Sequence, residues 1–167
     1  MTPEVQQDTS SWGPLGLLYR QHAAEAGRLA YLLTGDNELA RDLVQEAFLR
    51  MFGRFQDLRK PEAFHWYLKK TIVNLARSHF RRRRVERAYV ERGQGLSPVE
   101  PDADARQDMW TALQALSAQQ RAALVLRFYE DLSEARTAEV LDCPVGTVKS
   151  LVSRGLARLR QDLSGEE

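Results

Sequence analysis

Two short helical segments on either side of a tight turn constrain the fold of this chain most strongly. The first is predicted over Glu134–Leu141, directly after Ser133, whose hydroxyl can cap a helix. The turn follows at Asp142-Cys143-Pro144, and a second helix is predicted over Val145–Leu163. Such a pair is a helix-turn-helix, a unit that places the start of its second helix in the major groove of DNA.

The start of that second helix carries donors suited to DNA recognition. Thr147, Lys149 and Ser150 lie in its first turns, and Arg154 follows one turn later. The free N–H groups at a helix start also attract phosphate. Residues 144–160 contain four lysine and arginine residues and no acid. The alternative is a solvated helix whose cations lie near the negative end of its dipole.

The rest of the chain also has the periodicity of helices. Apolar residues recur at three- and four-residue steps, and the sequence shows no strand alternation and no internal repeat. Gly35 is expected to end the first helix, and Asp36 or Asn37 to cap the second. The predicted fold class is therefore all-α. Upstream of the helix-turn-helix, helices are predicted over about 15–33, 38–52, 62–87, 109–116 and 118–129.

A polar segment divides the predicted helices into two groups. It contains Gly-Gln-Gly, Ser-Pro and Glu-Pro together with several acids and few apolar residues. This composition is typical of a flexible linker. We therefore predict two small helical domains, over residues 14–92 and 106–163, joined by a linker over residues 93–105.

Positive charge is concentrated in one helix of the first domain. The chain has a net charge of +1, but residues 65–92 hold nine lysine and arginine residues against two glutamates. Positive charge at this density is suited to binding a polyanion, but it also occurs in unspecific nucleic-acid patches and at solvated helix ends. Aromatic side chains next to cations can stack on single-stranded bases, and each stacked base contributes about 1–3 kcal/mol to binding. Helical periodicity nevertheless requires some of the aromatic residues in this segment to belong to the core. The arginines are Arg77, Arg81, Arg82, Arg83, Arg84 and Arg87, and the upstream aromatic residues are Phe64, His65, Trp66 and Tyr67.

The second predicted helix has an acidic face. Asp42, Gln45 and Glu46 lie on one side of it. Like charges four residues apart cost a few tenths of a kcal/mol in an isolated helix, and a basic partner would reverse that cost. The alternative is a plain solvated face, in which Arg41 and Arg50 pair with the acids.

Catalysis, cofactors and membrane insertion find no support in the sequence. There is no glycine-rich phosphate loop and no metal-ligand spacing, and we find no Ser–His–Asp order. One cysteine excludes an intrachain disulfide, and three scattered histidines argue against a zinc site. No run approaches the roughly 18 apolar residues of a membrane span. We therefore expect a cytoplasmic protein that is not an enzyme.

Two independent sets of motifs resemble those of a known family. In the second half these are Leu116-Ser117-Ala118-Gln119-Gln120-Arg121 and Cys143-Pro144-Val145-Gly146-Thr147-Val148-Lys149-Ser150. In the first half they are Asp42-Leu43-Val44-Gln45-Glu46-Ala47-Phe48 and Asn74-Leu75-Ala76-Arg77. Together they resemble the sigma-70 family of RNA polymerase sigma factors, and most of all the actinobacterial sigma-E-like members of its extracytoplasmic-function group.

The resemblance implies an alternative sigma factor that directs promoter-specific initiation, sometimes controlled by an anti-sigma factor. It assigns core polymerase binding to Asp42, Gln45 and Glu46. It assigns recognition of the melted −10 element to Asn74, Arg77, Arg81, Arg82, Arg83 and Arg84. It assigns the duplex −35 element to Thr147, Lys149, Ser150 and Arg154.

Three positions depart from the family pattern, and two other classes of protein remain open. Many members have an aliphatic residue at Thr137, glycine at Asp142 and arginine at Leu151, so the −35 sequence of relatives does not transfer. One alternative is a stand-alone helix-turn-helix regulator, which would bind a two-fold symmetric duplex site without polymerase. The other is a nuclease or recombinase, for which the chain offers no nucleophile or metal carboxylates.

Overall fold

The chain folds into helices, as its periodicity predicts. The computed structural model describes residues 13–54, 60–90 and 105–165, and within these ranges it contains no strand. None of the described helices is both long and apolar enough to cross a membrane. The helices are α1 (Gly13–Thr34), α2 (Asn37–Gly53), α3 (Pro61–Val90), α4 (Ala105–Ala115), α5 (Ala118–Leu124, continued by a π-helical stretch over Val125–Tyr129), α6 (Glu134–Leu141) and α7 (Val145–Ser164).

Helices α1, α2 and α3 form the first bundle. The predicted break between α1 and α2 is confirmed, because Gly35 ends α1 with a φ of +72° and Asp36 caps α2. The Asp36 carboxylate accepts hydrogen bonds from the backbone N–H groups of Glu38 and Leu39. Phe48 of α2 and Phe64 of α3 meet at the centre of the bundle, with ring centroids 6.2 Å apart.

Helices α4 to α7 form the second bundle. Ser117 caps α5 in a reciprocal capping box with Gln120, and Ser133 caps α6. Two features differ from the sequence prediction. Helix α4 begins at Ala105, about one turn earlier than predicted, and α5 does not stay α-helical to its end. There the N–H of Glu130 donates to the Val125 carbonyl, five residues back, which widens the last turn.

The two bundles pack against each other and share one continuous core. That core includes α1, α2 and α3 residues together with α5, α6 and α7 residues such as Val148. Tyr31 of α1 stacks on Trp110 of α4, with centroids 4.7 Å apart and an interplanar angle of 9°. The predicted linker, residues 93–105, lies outside the described residues except for Ala105.

Candidate functional site

The helix-turn-helix is built by α6 and α7. Asp142 occupies the left-handed region at the end of α6, with φ 51° and ψ 53°. Aspartate tolerates this conformation better than most residues, which explains how the chain makes the turn without glycine. The N–H of Cys143 donates to the Ala138 carbonyl at 3.1 Å, and Pro144 stands at the cap position of α7. The turn thereby sets the direction of α7.

One buried valine orients the proposed recognition surface of α7. Val148 is fully buried, so its neighbours Thr147, Lys149 and Ser150 are exposed. Arg154 is also exposed and follows Ser150 by four residues, which places both on one face. The structure therefore brings all four residues predicted for −35 recognition to the surface of a single helix.

Two of the departures from the family pattern are packing residues. Thr137 is fully buried in α6 and takes a core position. Leu151 is half-buried and packs against the core. Thr137 is therefore not available to DNA, and Leu151 contributes to packing.

The acidic face of α2 lies opposite the side that α2 buries. Asp42, Gln45 and Glu46 are all exposed. Glu46 pairs with Arg50 across one helical turn, at 2.8 Å, while Asp42 has no salt-bridge partner among the described residues. Exposed pairs of this kind contribute at most about 0.5 kcal/mol, so both carboxylates remain free to meet a basic partner.

An apolar groove borders the acidic face, and the sequence did not reveal it. It runs between α1 and α2, has a volume of about 840 Å³ and is lined in part by Gln45. Leu49, at its edge, is 62% exposed. Apolar surface next to charge is typical of a protein–protein interface. The other groove residues include Tyr19, Ala23, Tyr31, Val44, Phe48 and Phe52.

The basic end of α3 is open to solvent. Arg81, Arg82, Arg83 and Arg84 are all exposed, and Asn74 is exposed two turns earlier. Three of these arginines line a cleft between α3 and the start of α5. The structure therefore keeps four of the five predicted −10 arginines on the surface.

Two other residues near this surface are covered by α6. The Arg77 guanidinium donates to the Leu141 carbonyl at 2.8 Å. The Arg136 guanidinium lies over the Trp66 ring, 4.1 Å from its centroid. In this arrangement of the two bundles, α6 therefore occupies part of the predicted DNA surface of α3.

The upstream aromatic residues divide between core and surface. Phe64 is fully buried and His65 contacts His22, so neither faces DNA. Tyr67 is exposed. Only Trp66 and Tyr67 of the four therefore remain as aromatic candidates for stacking on bases.

Arg121 is a buried structural residue. The sequence indicated it only as the last residue of the motif that begins at Leu116, without a role of its own. It is 5% exposed and donates to four backbone carbonyls, those of Leu33, Leu113, Gln114 and Leu116. Burial lowers the pKa of Arg121. The carbonyl of Leu33 belongs to the first bundle, so this guanidinium ties the two bundles together. The sequence signal is a lone cation one turn after the Ser117 cap, on the apolar side of α5.

Cys143 lies in the turn between α6 and α7. Burial, more than any nearby charge, raises the pKa of its thiol. A thiol held in its protonated form is a poor nucleophile. This agrees with its interpretation as a small turn residue.

Comparisons with known proteins match both bundles to the same family. Residues 18–86 match the family model described as Sigma-70 region 2, and residues 106–159 match the one described as Sigma-70, region 4. The two matches follow the same order as the two bundles and together cover most of the chain.

Individual relatives agree with this assignment. The RNA polymerase sigma-E factor of Streptomyces coelicolor is 33% identical over 139 residues, which is 81% of this chain and 78% of that protein. The one from Streptomyces avermitilis is 34% identical over 143 residues, or 84% and 79% of the two chains. The sigma factor RpoE in complex with the anti-sigma factor NepR from Bartonella quintana has a similar structure, with a TM-score of 0.69 at 25% identity, covering 89% of this chain and 96% of RpoE. The chain therefore belongs to the sigma-70 family of RNA polymerase sigma factors, and within it to the extracytoplasmic-function group.

Proposed function

We propose that this alternative sigma factor divides initiation between its two bundles in the cytoplasm and carries out no catalytic step itself. The first domain, residues 14–92, binds core polymerase and the −10 element, and the second, residues 106–163, binds the −35 element. The observation that carries the proposal is the pair of family matches, over residues 18–86 and 106–159, which include the acidic face of α2, the basic end of α3 and the start of α7. Co-elution of the purified protein with core RNA polymerase on gel filtration tests it, and failure to co-elute favours the stand-alone regulator.

Docking on polymerase is proposed for Asp42, Gln45 and Glu46. Their exposure, and the apolar groove beside Gln45, support a surface with a charged rim and an apolar centre. Electrostatic complementarity mainly sets the association rate and specificity, and apolar burial adds affinity. We also propose that an anti-sigma factor binds this protein in competition with core polymerase.

Capture of the melted −10 element is proposed for Asn74, Arg77 and the arginines at 81–84. The exposed arginines neutralise phosphates, and Trp66 stacks on a base. Because α6 covers Trp66 and holds Arg77, the proposal includes a separation of α6 from α3 on the promoter. This separation breaks the Arg77–Leu141 and Arg136–Trp66 contacts, and it also exposes core residues that α6 contributes, among them Val140 and Leu141.

Replacing two of the exposed arginines should reduce the salt dependence of promoter binding. For Arg82→Ala, Arg83→Ala, we expect the slope of log K against log salt to become shallower by about 1.5, since each phosphate contact contributes about 0.7–0.9. The measurement is a salt titration of holoenzyme binding to a cognate promoter. The matched control is Arg20→Ala, Arg54→Ala, two exposed arginines outside α3 and outside the groove, which should leave the slope unchanged. An unchanged slope in the α3 variant would remove these arginines from the DNA interface.

The −35 element is proposed to be read by Thr147, Lys149, Ser150 and Arg154. Lys149→Ala should lower transcription from a cognate promoter about tenfold, because a good base contact is worth about 1–3 kcal/mol. Lys149 is exposed and 3.7 Å from Glu134, so its loss should barely affect folding. The assay is run-off transcription from promoters with an intact or a scrambled −35 element.

Comparing the intact and the scrambled promoter distinguishes a loss of base recognition from a general weakening of transcription. The Lys149 variant should lose its preference for the intact element, whereas Arg160→Ala, at the far end of α7, should keep it. Unchanged transcription of the Lys149 variant from every cognate promoter would contradict its assignment.

A further inference from the structure

Three potential metal ligands meet where α1 packs on α3. His22 and Glu25 lie three residues apart on α1, and His65 of α3 comes close to both. One ligand atom from each of the three lies within 4.8 Å of the others. The histidines are 43 residues apart in the sequence, so no ligand spacing along the chain could predict this cluster. The sequence analysis expected no metal site for that reason.

The distances within the cluster suit a small divalent metal ion. The Nδ1 atoms of His22 and His65 are 3.3 Å apart. Two nitrogen ligands about 2.0–2.1 Å from a tetrahedral zinc ion are separated by about the same distance, roughly 3.3 Å. A Glu25 oxygen lies 3.7 Å from Nε2 of His65, which is the other ring nitrogen from the one that faces His22. Bringing all three ligands onto one ion therefore requires a rotation of the His65 ring or of the Glu25 side chain.

The surroundings also suit an ion. The three residues line a cavity of about 10 Å³, which leaves room for about one water-sized ligand beside them. All three side chains are half-buried, so an ion can enter from solvent.

We propose that His22, Glu25 and His65 form a binding site for a divalent transition metal, with Zn²⁺ the best fit to two imidazoles and a carboxylate. The ion would fasten α1 to α3. Lys69 now lies 3.7 Å from Glu25 and also pairs with Glu130 of the second bundle. When Glu25 binds the metal, Lys69 keeps Glu130 as its partner, so its charge stays balanced. The alternative is a hydrogen bond between the two imidazoles without any metal.

Calorimetric titration of the full chain with Zn²⁺ tests the site. We expect one ion per chain, and at least about tenfold weaker binding in Glu25→Gln and in His65→Gln. Glu25 is partly exposed, so its replacement should fold even if that of His65 does not. The controls are His79→Gln, which changes the third histidine, and Cys143→Ser, which removes the thiol. Both should bind as the wild type does.

Two further readouts make the result specific. Co²⁺ in place of Zn²⁺ should give visible absorption without a thiolate charge-transfer band, and Zn²⁺ should raise the melting temperature of the wild type more than that of Glu25→Gln. Wild-type protein that binds no Zn²⁺ at 1 mM would overturn the proposal. Binding that survives Glu25→Gln and His65→Gln, or is lost in Cys143→Ser or His79→Gln, would overturn it as well.

Discussion

The double variant Asp42→Lys, Glu46→Lys is expected to lose about 100-fold or more of its affinity for core RNA polymerase, equivalent to about 3 kcal/mol. Both carboxylates are exposed on α2, on the face opposite its buried side. Reversing two charges in a docking surface replaces attraction with repulsion, which costs several kcal/mol. Among the described residues, the one salt bridge to be lost is between Glu46 and Arg50, and it is exposed and contributes little to folding. Fluorescence anisotropy of labelled protein titrated with core polymerase measures the effect.

A matched control carries the same change in net charge at other places. Glu62→Lys, Glu139→Lys alters two exposed acids outside the α2 face. We expect this control to bind polymerase within about threefold of the wild type, since charges away from the interface are largely screened. Equal affinity of the α2 variant and this control would make the acidic face an ordinary solvated surface.

Replacing Arg121 by alanine should destabilise the protein by about 3 kcal/mol. Its guanidinium is the donor for four backbone carbonyls and lies over the Phe80 ring, 5.2 Å from the centroid. Alanine removes the donor from all four carbonyls, and the hydrogen bonds to Leu33 and Leu116 are fully buried. Replacing Arg121 by lysine should recover little of this stability, because one ammonium group cannot reach all the carbonyls that surround the planar guanidinium. Urea denaturation followed by circular dichroism gives the change in the free energy of unfolding.

Arg158→Ala provides the comparison for Arg121→Ala. Arg158 forms an exposed pair with Asp162 one turn away, so its loss should cost no more than about 0.5 kcal/mol. If Arg121→Ala is as stable as Arg158→Ala, the buried guanidinium does not hold the two bundles together as described.

Local structure could be predicted from the sequence because local signals determine it. The break at Gly35 and Asp36, the Ser133 cap and the Asp142 turn each depend on residues within one helical turn. The exposure of Lys149 beside buried Val148 follows from helical periodicity. These are the features that position the recognition helix.

Contacts between distant parts of the chain could not be predicted in this way. The burial of Arg121 depends on Leu33, 88 residues away. The covering of Trp66 by Arg136 depends on how the two bundles pack. The apolar groove is lined by residues of both α1 and α2, so it depends on how these two helices pack. Each of these features depends on tertiary packing, which residue patterns do not encode locally.

Mapping transcript 5′ ends tests most directly whether this chain selects promoters for RNA polymerase. Cognate core polymerase would transcribe genomic DNA in vitro with and without the purified protein. We predict a discrete set of new start sites that share −10 and −35 elements at a fixed spacing. Start sites identical to those of core polymerase alone, together with tight binding of the free protein to a two-fold symmetric duplex, would contradict the account.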